Sequence, residues 1–193
     1  MSRRKTLPAL LSATLIGLAL TSVVLVRGHH GGVATEEGEV TGAISKAQAM
    51  GATGLPIPRF VTLKADKVNV RKGPSSDHDV AFMFQRKGLP VEITAEFENW
   101  RKVRDSDGEE GWILQSMLAG RRNAYVAYWA NRKFVGLYAG ADKASGLLAN
   151  MAPGVLASIK SCNGHWCEIE VDGRDGYAMQ SQLWGVYPGE VVD

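Results

Sequence analysis

GWILQSMLAG at 111–120 returns as GYAMQSQLWG at 176–185, with Gly, an aromatic, Gln-Ser, Leu and Gly at matching positions. Upstream, each copy carries a further matched aromatic, Trp100 after Asn99 and Trp166 after His165. Asp107-Gly108 and Asp172-Gly173 stand between the Trp and the block in both copies. A repeat of about 65 residues is too long for a solenoid unit and suits one small domain. The 193-residue chain therefore reads as two copies of one domain in tandem. A domain of about 60 residues buries only about 60% of the surface its unfolded chain exposes, so each copy gains from a neighbour or a cross-link.

Working outward from the block, the first copy is a series of short strands bounded by turns. FVTL at 60–63 alternates apolar and polar, and VNVR at 68–71 does so again before Lys72-Gly73-Pro74-Ser75 breaks it. VAFMF at 80–84 is the next strand. PVEITAEF at 90–97 follows, with Val91, Ile93, Ala95 and Phe97 on one face. Glu98-Asn99 turns the chain into 100–104, with Trp100 and Val103 inward. Asp107-Gly108 is a second hairpin signal before the strand 111–114, and Gln115-Ser116-Met117 reads as one 3₁₀ turn ahead of Leu118. Sustained helical periodicity is missing from this stretch. Short strands with turn signals every 8–12 residues or so predict a small all-β barrel or sandwich.

The amino terminus supplies an address. Ser2-Arg3-Arg4-Lys5 precedes an uncharged apolar run from Leu7 to Val26, the pattern of a secretory signal, long enough to serve instead as an uncleaved membrane anchor. Residues 1–34 are therefore expected to be a signal peptide or anchor helix, and 35–54, with Glu36, Glu37 and Glu39, a flexible spacer. His29-His30 belongs with the removable or flexible part. Arg3, Arg4, Lys5 and Arg27 account for the net charge of +2; subtracting them from 22 leaves 18 basic against 20 acidic residues, which excludes the basic footprint nucleic acid needs.

Both cysteines lie in the second copy, in Cys162-Asn163-Gly164-His165-Trp166-Cys167. An even count in an exported chain favours a disulfide. Strand-like residues flank an Asn-Gly turn, so a four-residue loop would set Cys162 and Cys167 opposite each other across a hairpin. The rivals are a Cys/His nucleophile pair and a metal site from Cys162, His165 and Cys167. A nucleophile needs a base and an orienting group in a cleft, and three ligands within six residues of a hairpin close poorly around zinc.

VNVRKGPS at 68–75, the meander carrying Trp100, the Gly-Trp at 111–112 and the Gln-Ser-Met-Leu turn together resemble the bacterial SH3-like domains of envelope proteins. The second copy, with CNGHWCEIEVDGRDGYAMQSQLWGVYPGE, is similar to the partner domain of a two-barrel exported family of Gram-negative bacteria. The resemblance covers 55–188 and implies two tandem SH3-like barrels, at 55–120 and 132–188, joined over 121–131, with 125–129 extended at the joint. It also implies a periplasmic protein that binds peptidoglycan or an envelope protein, with membrane contact only through an uncleaved anchor. The second copy departs at its start, where VGLYAGAD at 135–142 replaces VNVRKGPS and loses the Asn, Arg and Pro.

The candidate ligand-binding residues are therefore Asn69, Arg71, Trp100 and Trp112 of the first barrel. Trp100, Trp112, Trp166 and Tyr177 would either fill the cores and close the barrel mouths or form an aromatic groove. Arg71 would either brace a loop through backbone carbonyls or meet a ligand carboxylate. The expected groove lies between the turn at 75–79 and the hairpin at 96–100. Leu55-Pro56-Ile57-Pro58-Arg59 reads as a polyproline-like lead-in to a strand. Catalysis has little support, leaving a part in or beside a cell-wall hydrolase as the third alternative: Ser, His and Asp form no set, His78 lies in a polar turn, and Asp105, Asp107, Glu109 and Glu110 are a solvated hairpin tip without a calcium-loop spacing. Neither a cofactor nor a metal is expected.

Overall fold

The computed structural model describes residues 49–126 and 133–193. The signal or anchor at 1–34, the spacer up to 48, residues 127–131 of the joint, with most of the stretch expected to be extended at 125–129, and residue 132 lie outside them. The first barrel comprises β3 (Arg59–Leu63), β4 (Val68–Arg71), β5 (Val80–Phe84), β6 (Pro90–Phe97), β7 (Trp100–Arg104), β8 (Glu110–Leu114) and β9 (Leu118–Ala119), preceded by the small hairpin β1 (Ala49–Met50) and β2 (Pro56–Ile57). The second comprises β10 (Asn123–Val126), β11 (Val135–Gly140), β12 (Asp142–Met151), β13 (Leu156–Asn163), β14 (Trp166–Val171), β15 (Arg174–Met179) and β16 (Leu183–Trp184), with β17 (Val191–Val192) added on β13.

The strand orders match element for element. The first sheet runs β5-β4-β8-β7-β6-β3-β9, the second β12-β11-β15-β14-β13-β10-β16. Asn123–Val126, placed by the sequence in the joint, thus occupies the position of β3 and opens the second barrel, pairing with β13 and β16. Two other stretches are also structured: Ala49–Met50, within the expected spacer, pairs with Pro56–Ile57, and Val191–Val192, past residue 188, pairs with β13 at Cys162 and Asn163. Among the described residues the only helical turns are the 3₁₀ turns Gln115–Met117 and Gln180–Gln182, and no helix is long and apolar enough to cross a membrane.

The repeated block is explained by contacts it makes in both copies. A Cβ on Gly111 would collide with Val70 and lie 2.9 Å from the Arg71 carbonyl oxygen; one on Gly176 would lie 2.7 Å from Leu137 Cγ and 2.9 Å from the Tyr138 carbonyl oxygen. Glycine is needed because β8 and β15 press against the backbones of β4 and β11. The backbone N–H of Gln115 donates to Asn99 O at 2.9 Å, and that of Gln180 to His165 O at 2.8 Å, which ties each 3₁₀ turn to a neighbouring hairpin. Leu118 and Leu183 then enter the cores, where Leu63, Val70, Val91 and Ile113 pack in one barrel and Leu137, Ile159, Ile169 and Ala178 in the other.

One irregularity corrects the sequence reading. A bulge between Ile93 and Ala95 shifts the pairing of β6 with β7 so that Ala95 faces Lys102, Glu96 faces Arg101 and Phe97 faces Trp100. Val91 and Ile93 are buried as expected, but past the bulge Phe97 is exposed and Glu96 turns in. The same shift follows Ile159 in β13, where it turns Cys162 and Cys167 inward as direct cross-strand partners. Trp100, expected inward with Val103, sits three residues from it and so on the other face of a two-residue period; Arg101 and Val103 are the buried pair.

The barrels are packed together. Phe60 of β3 is buried against Trp184 and Tyr187, with ring centroids 4.9 and 4.7 Å away, and the Arg122 guanidinium lies 5.7 Å from its centroid. Asn123 Nδ2 donates to Gly88 O at 2.7 Å, Thr62 Oγ1 to Arg121 O at 2.6 Å, and the Tyr187 hydroxyl to Glu92 Oε1 at 2.8 Å. Burial first, then the Glu92 carboxylate, hold the Tyr187 phenol strongly against ionisation. Both faces of β3 are consequently buried, one by its own core and one by the second barrel.

Candidate functional site

Along β4 the side chains alternate, Val68 and Val70 inward, Asn69 and Arg71 outward. β7 and β8 present Trp100, Lys102, Trp112 and Leu114 on the same outer face, because Val103, Gly111 and Ile113 take the buried parity. Register sets the neighbours: Trp112 lies between Arg71 and Lys102, and Leu114 faces Trp100. Asn69, Arg71 and Trp100 thereby line one hollow of about 180 Å³, floored by Val68, Leu114 and Met117 and flanked by Lys67. Trp112, the fourth expected residue, shares the face but does not line the hollow. All four aromatics in question, Trp100, Trp112, Trp166 and Tyr177, are half-buried on outer faces and absent from the two cores.

Arg71 does brace a loop: its Nη1 donates to His78 O at 2.6 Å. The loop is further tied by Lys72 N–H to Asp79 O at 3.0 Å and an exposed Lys72–Asp79 ion pair. His78 packs its ring on Gly73, where a Cβ would collide with it. The turn at 75–79 is therefore filled by its own side chains. The hollow lies beside it, over β4, β7 and β8, and is not the groove expected between that turn and the hairpin at 96–100. Lys102 pairs with Glu110 at 2.5 Å, a contact that holds the Glu110 carboxyl below its usual range.

The hairpin side of that expected groove is closed by a network the sequence reading missed. Glu96, with its side chain 1% exposed, accepts from Thr53 N at 2.8 Å, from Thr53 Oγ1 at 2.8 Å and from Arg59 Nη2 at 2.6 Å, and lies 3.4 Å from Arg101 Nε. Burial alone would raise its pKa, but the bonds from Thr53 and the Arg59 charge outweigh it and bring the group down to about 2. Arg101 also donates to Glu98 O, Trp100 O and Gln115 Oε1. The aligned pair in the second barrel is the disulfide itself: Cys162 and Cys167 are bonded, with Cα atoms 4.0 Å apart. Their sulfurs are thus not available as thiolate ligands or nucleophiles, and among the described residues no group of His, Cys, Asp and Glu could hold a metal.

A larger cleft of about 500 Å³ lies where Leu55, Phe60 and Leu118 meet Arg122, Tyr187 and Glu190. Its arginines are engaged internally, Arg59 by Glu96 and Arg122 by Glu190 at 2.8 Å and Gly185 O at 2.7 Å. The hollow on the first barrel differs in that its arginine, Arg71, makes one loop-bracing bond and meets no carboxylate within the described residues.

The bacterial SH3 domain family matches residues 64–120 and again 131–185. No curated protein matches the chain. Solved structures with some likeness are NlpC2 from Trichomonas vaginalis (16% identity, 66% of this chain and 48% of that one, TM-score 0.31) and NlpC1 from the same organism (16%, 74% and 50%, 0.30). An NlpC/P60 family protein from Bacillus cereus ATCC 10987 is 9% identical, over 65% of this chain and 55% of its own, with a TM-score of 0.29. The chain spans about half the length of these structures.

Proposed function

We propose, from the premise that this chain belongs to the bacterial SH3 domain family, that it is a non-catalytic binding module of the cell envelope, exported to the periplasm, whose first barrel contacts the peptide of peptidoglycan. The convergence of Asn69, Arg71 and Trp100 on one hollow is the observation that carries this reading. A guanidinium beside an indole suits a carboxylate next to an apolar group: the cation supplies a charge-assisted hydrogen bond and the ring a flat contact area. Lys67 at the rim adds attraction for an anion.

The second reading, an envelope scaffold without wall affinity, is favoured by one feature of the second barrel. Phe134, Leu147 and Leu148 are 58%, 54% and 51% exposed, and the two leucines sit on the edge strand β12. A part in, or beside, a cell-wall hydrolase is a third and weaker reading. Co-sedimentation of the full chain with purified sacculi decides between the first two. Pelleting with the wall that Arg71→Ala abolishes supports the first; a chain that stays in the supernatant excludes it.

A further inference from the structure

The two barrels put different residues on the same ground. Arg71 faces Trp112 across β4 and β8, and Tyr138 faces Tyr177 across β11 and β15, so Tyr138 holds the place of Arg71 and Gly136 that of Asn69. Trp166 faces Met179 as Trp100 faces Leu114. The Tyr138 ring lies back along its own strand: a Cβ on Gly136 would stand 2.6 Å from Cε2, 2.7 Å from Cζ and 2.8 Å from Oη. The same ring meets Trp166 edge-on, centroids 5.7 Å apart and planes at 89°. It therefore occupies the space that is the hollow between Asn69, Arg71 and Trp100 in the first barrel. Asn69 and Arg71 form the complementary pair, since a residue with a Cβ at 69 bars the backward path and Arg71 turns instead to His78 O.

Charge changes in the same direction. Lys102 faces Trp112, while its counterpart Glu168 faces Tyr177 and lies 3.4 Å from that hydroxyl. Glu170 likewise stands where the first barrel has Arg104, opposite Asp175 and Glu110 respectively. Lys102 and Arg104 are paired with Glu110 and Glu92, and Asp175 with Lys160, so the contrast that remains is an Arg71 with no carboxylate partner among the described residues over an open hollow in one barrel and a Tyr138 ring beside Glu168 in the other.

We infer that Tyr138 is a built-in occupant that closes the second barrel's copy of the site, and that the first barrel takes at the corresponding place a compact side chain borne beside a carboxylate of an anionic peptide. This rests on the wall-binding reading above and assigns its specificity to two pairs, Asn69 with Arg71 and Gly136 with Tyr138. The Tyr138 ring is the template for placement and the upper bound for size: one side chain no larger than a phenol ring, set against the indole, with its charge toward position 71.

The test is calorimetric titration of the full chain with a soluble wall stem peptide ending in a free D-alanine carboxylate. The natural chain is expected to bind one peptide. N69G/R71Y, which copies the second barrel into the first, is expected to lose at least about tenfold in affinity, the scale of one charge-assisted contact, and to keep a cooperative melt. G136N/Y138R/E168K, which copies the first barrel into the second, is expected to bind two. Should that variant not fold, Y138R/E168K, which keeps Gly136, carries the same expectation. A stoichiometry that stays at one in a folded variant, while N69G/R71Y loses binding, overturns the role of Tyr138 alone. Undiminished binding by N69G/R71Y overturns the site, and absence of binding by the natural chain overturns the wall-binding reading and this inference with it.

Discussion

Replacing Glu96 by Gln removes the charge from a carboxylate that joins three segments: the Thr53 turn, Arg59 of β3 and Arg101 of β7. Its pKa falls from an ordinary 4.5 to about 2 in the folded chain. At 1.36 kcal/mol per unit, that difference makes the ionised form worth about 3 kcal/mol to the fold. The group's folded pKa is depressed, so this stability is fully present above pH 4.5 or so and is lost as pH falls toward 2. The Glu96→Gln variant should therefore melt about 6–12 °C lower than the natural chain at pH 7, and the gap should close on acidification through that window. Other carboxylates also titrate there, so the difference between the two proteins, followed by calorimetry across pH, is the quantity that reports on Glu96. Hydrogen exchange adds a local readout: the Thr53 amide, bonded to Oε2 at 2.8 Å, should lose protection in the variant. A gap of equal size at pH 2.5 and pH 7 would refute the electrostatic account and leave only packing as the cause.

Reduction of Cys162–Cys167, or its replacement by serine, should cost about 2 kcal/mol by the loop-closure estimate for so short a ring, and thiol labelling of the native protein should find no reactive cysteine. Arg71→Ala removes one bond, to His78 O, and should lower stability by only about 0.5–1.5 kcal/mol while abolishing sacculus binding; Trp100→Ala should do likewise to binding. Loss of melting temperature without loss of binding in both would place them as structural. Phe60→Ala, at the joint between the barrels, should cost about 3–5 kcal/mol and split the melt into two transitions; a single unchanged transition would show that the barrels do not stabilise each other through this ring.

The barrels themselves were legible because period-two alternation survives in most strands. Val80–Phe84 was expected with those same ends, and Phe60 opens its strand one residue late. What alternation cannot reveal is a bulge. One extra residue near Thr94 swaps the faces beyond it, so alternation alone groups Ala95 and Phe97 with Val91 and Ile93 and leaves Glu96 on the solvent face. Burial of the outer face of β3 was hidden for another reason: Phe60 and Thr62 are covered by Trp184, Tyr187 and Arg121 from well over a hundred or some sixty residues away, and nothing local marks them. The site was half legible. Asn69 and Arg71 stand out through the motif that the second copy lacks and Trp100 through the repeat itself, whereas Leu114 and Met117 join them only through the sheet order β4-β8-β7.

A signal for Glu96 was nevertheless present in the repeat. Cys162 and Cys167 are five apart, as are Glu96 and Arg101, and each pair stands one residue short of the turn on one side and one past the repeated Trp on the other. Superposing the repeats puts a covalent link in one barrel where the other has an ion pair. Both sit just beyond a bulge, at the inward-pointing cross-strand pair next to the hairpin turn. A buried ion pair is costly to strand from its partner, and it holds only while the surrounding groups satisfy it, as Thr53, Arg59 and Gln115 do here. The disulfide needs no such support and stands in the barrel whose added strand β17 pairs beside the same tip, at Cys162 and Asn163. It follows that E96C/R101C should form a second disulfide without distortion, because the Cα register is already that of Cys162 and Cys167. The engineered bond should remove the acid sensitivity assigned to Glu96 and, at the same time, release Thr53 and the hairpin β1–β2 from the barrel. Protection of the Thr53 amide that persisted in the disulfide variant would show that the hairpin is held by something other than the Glu96 carboxylate.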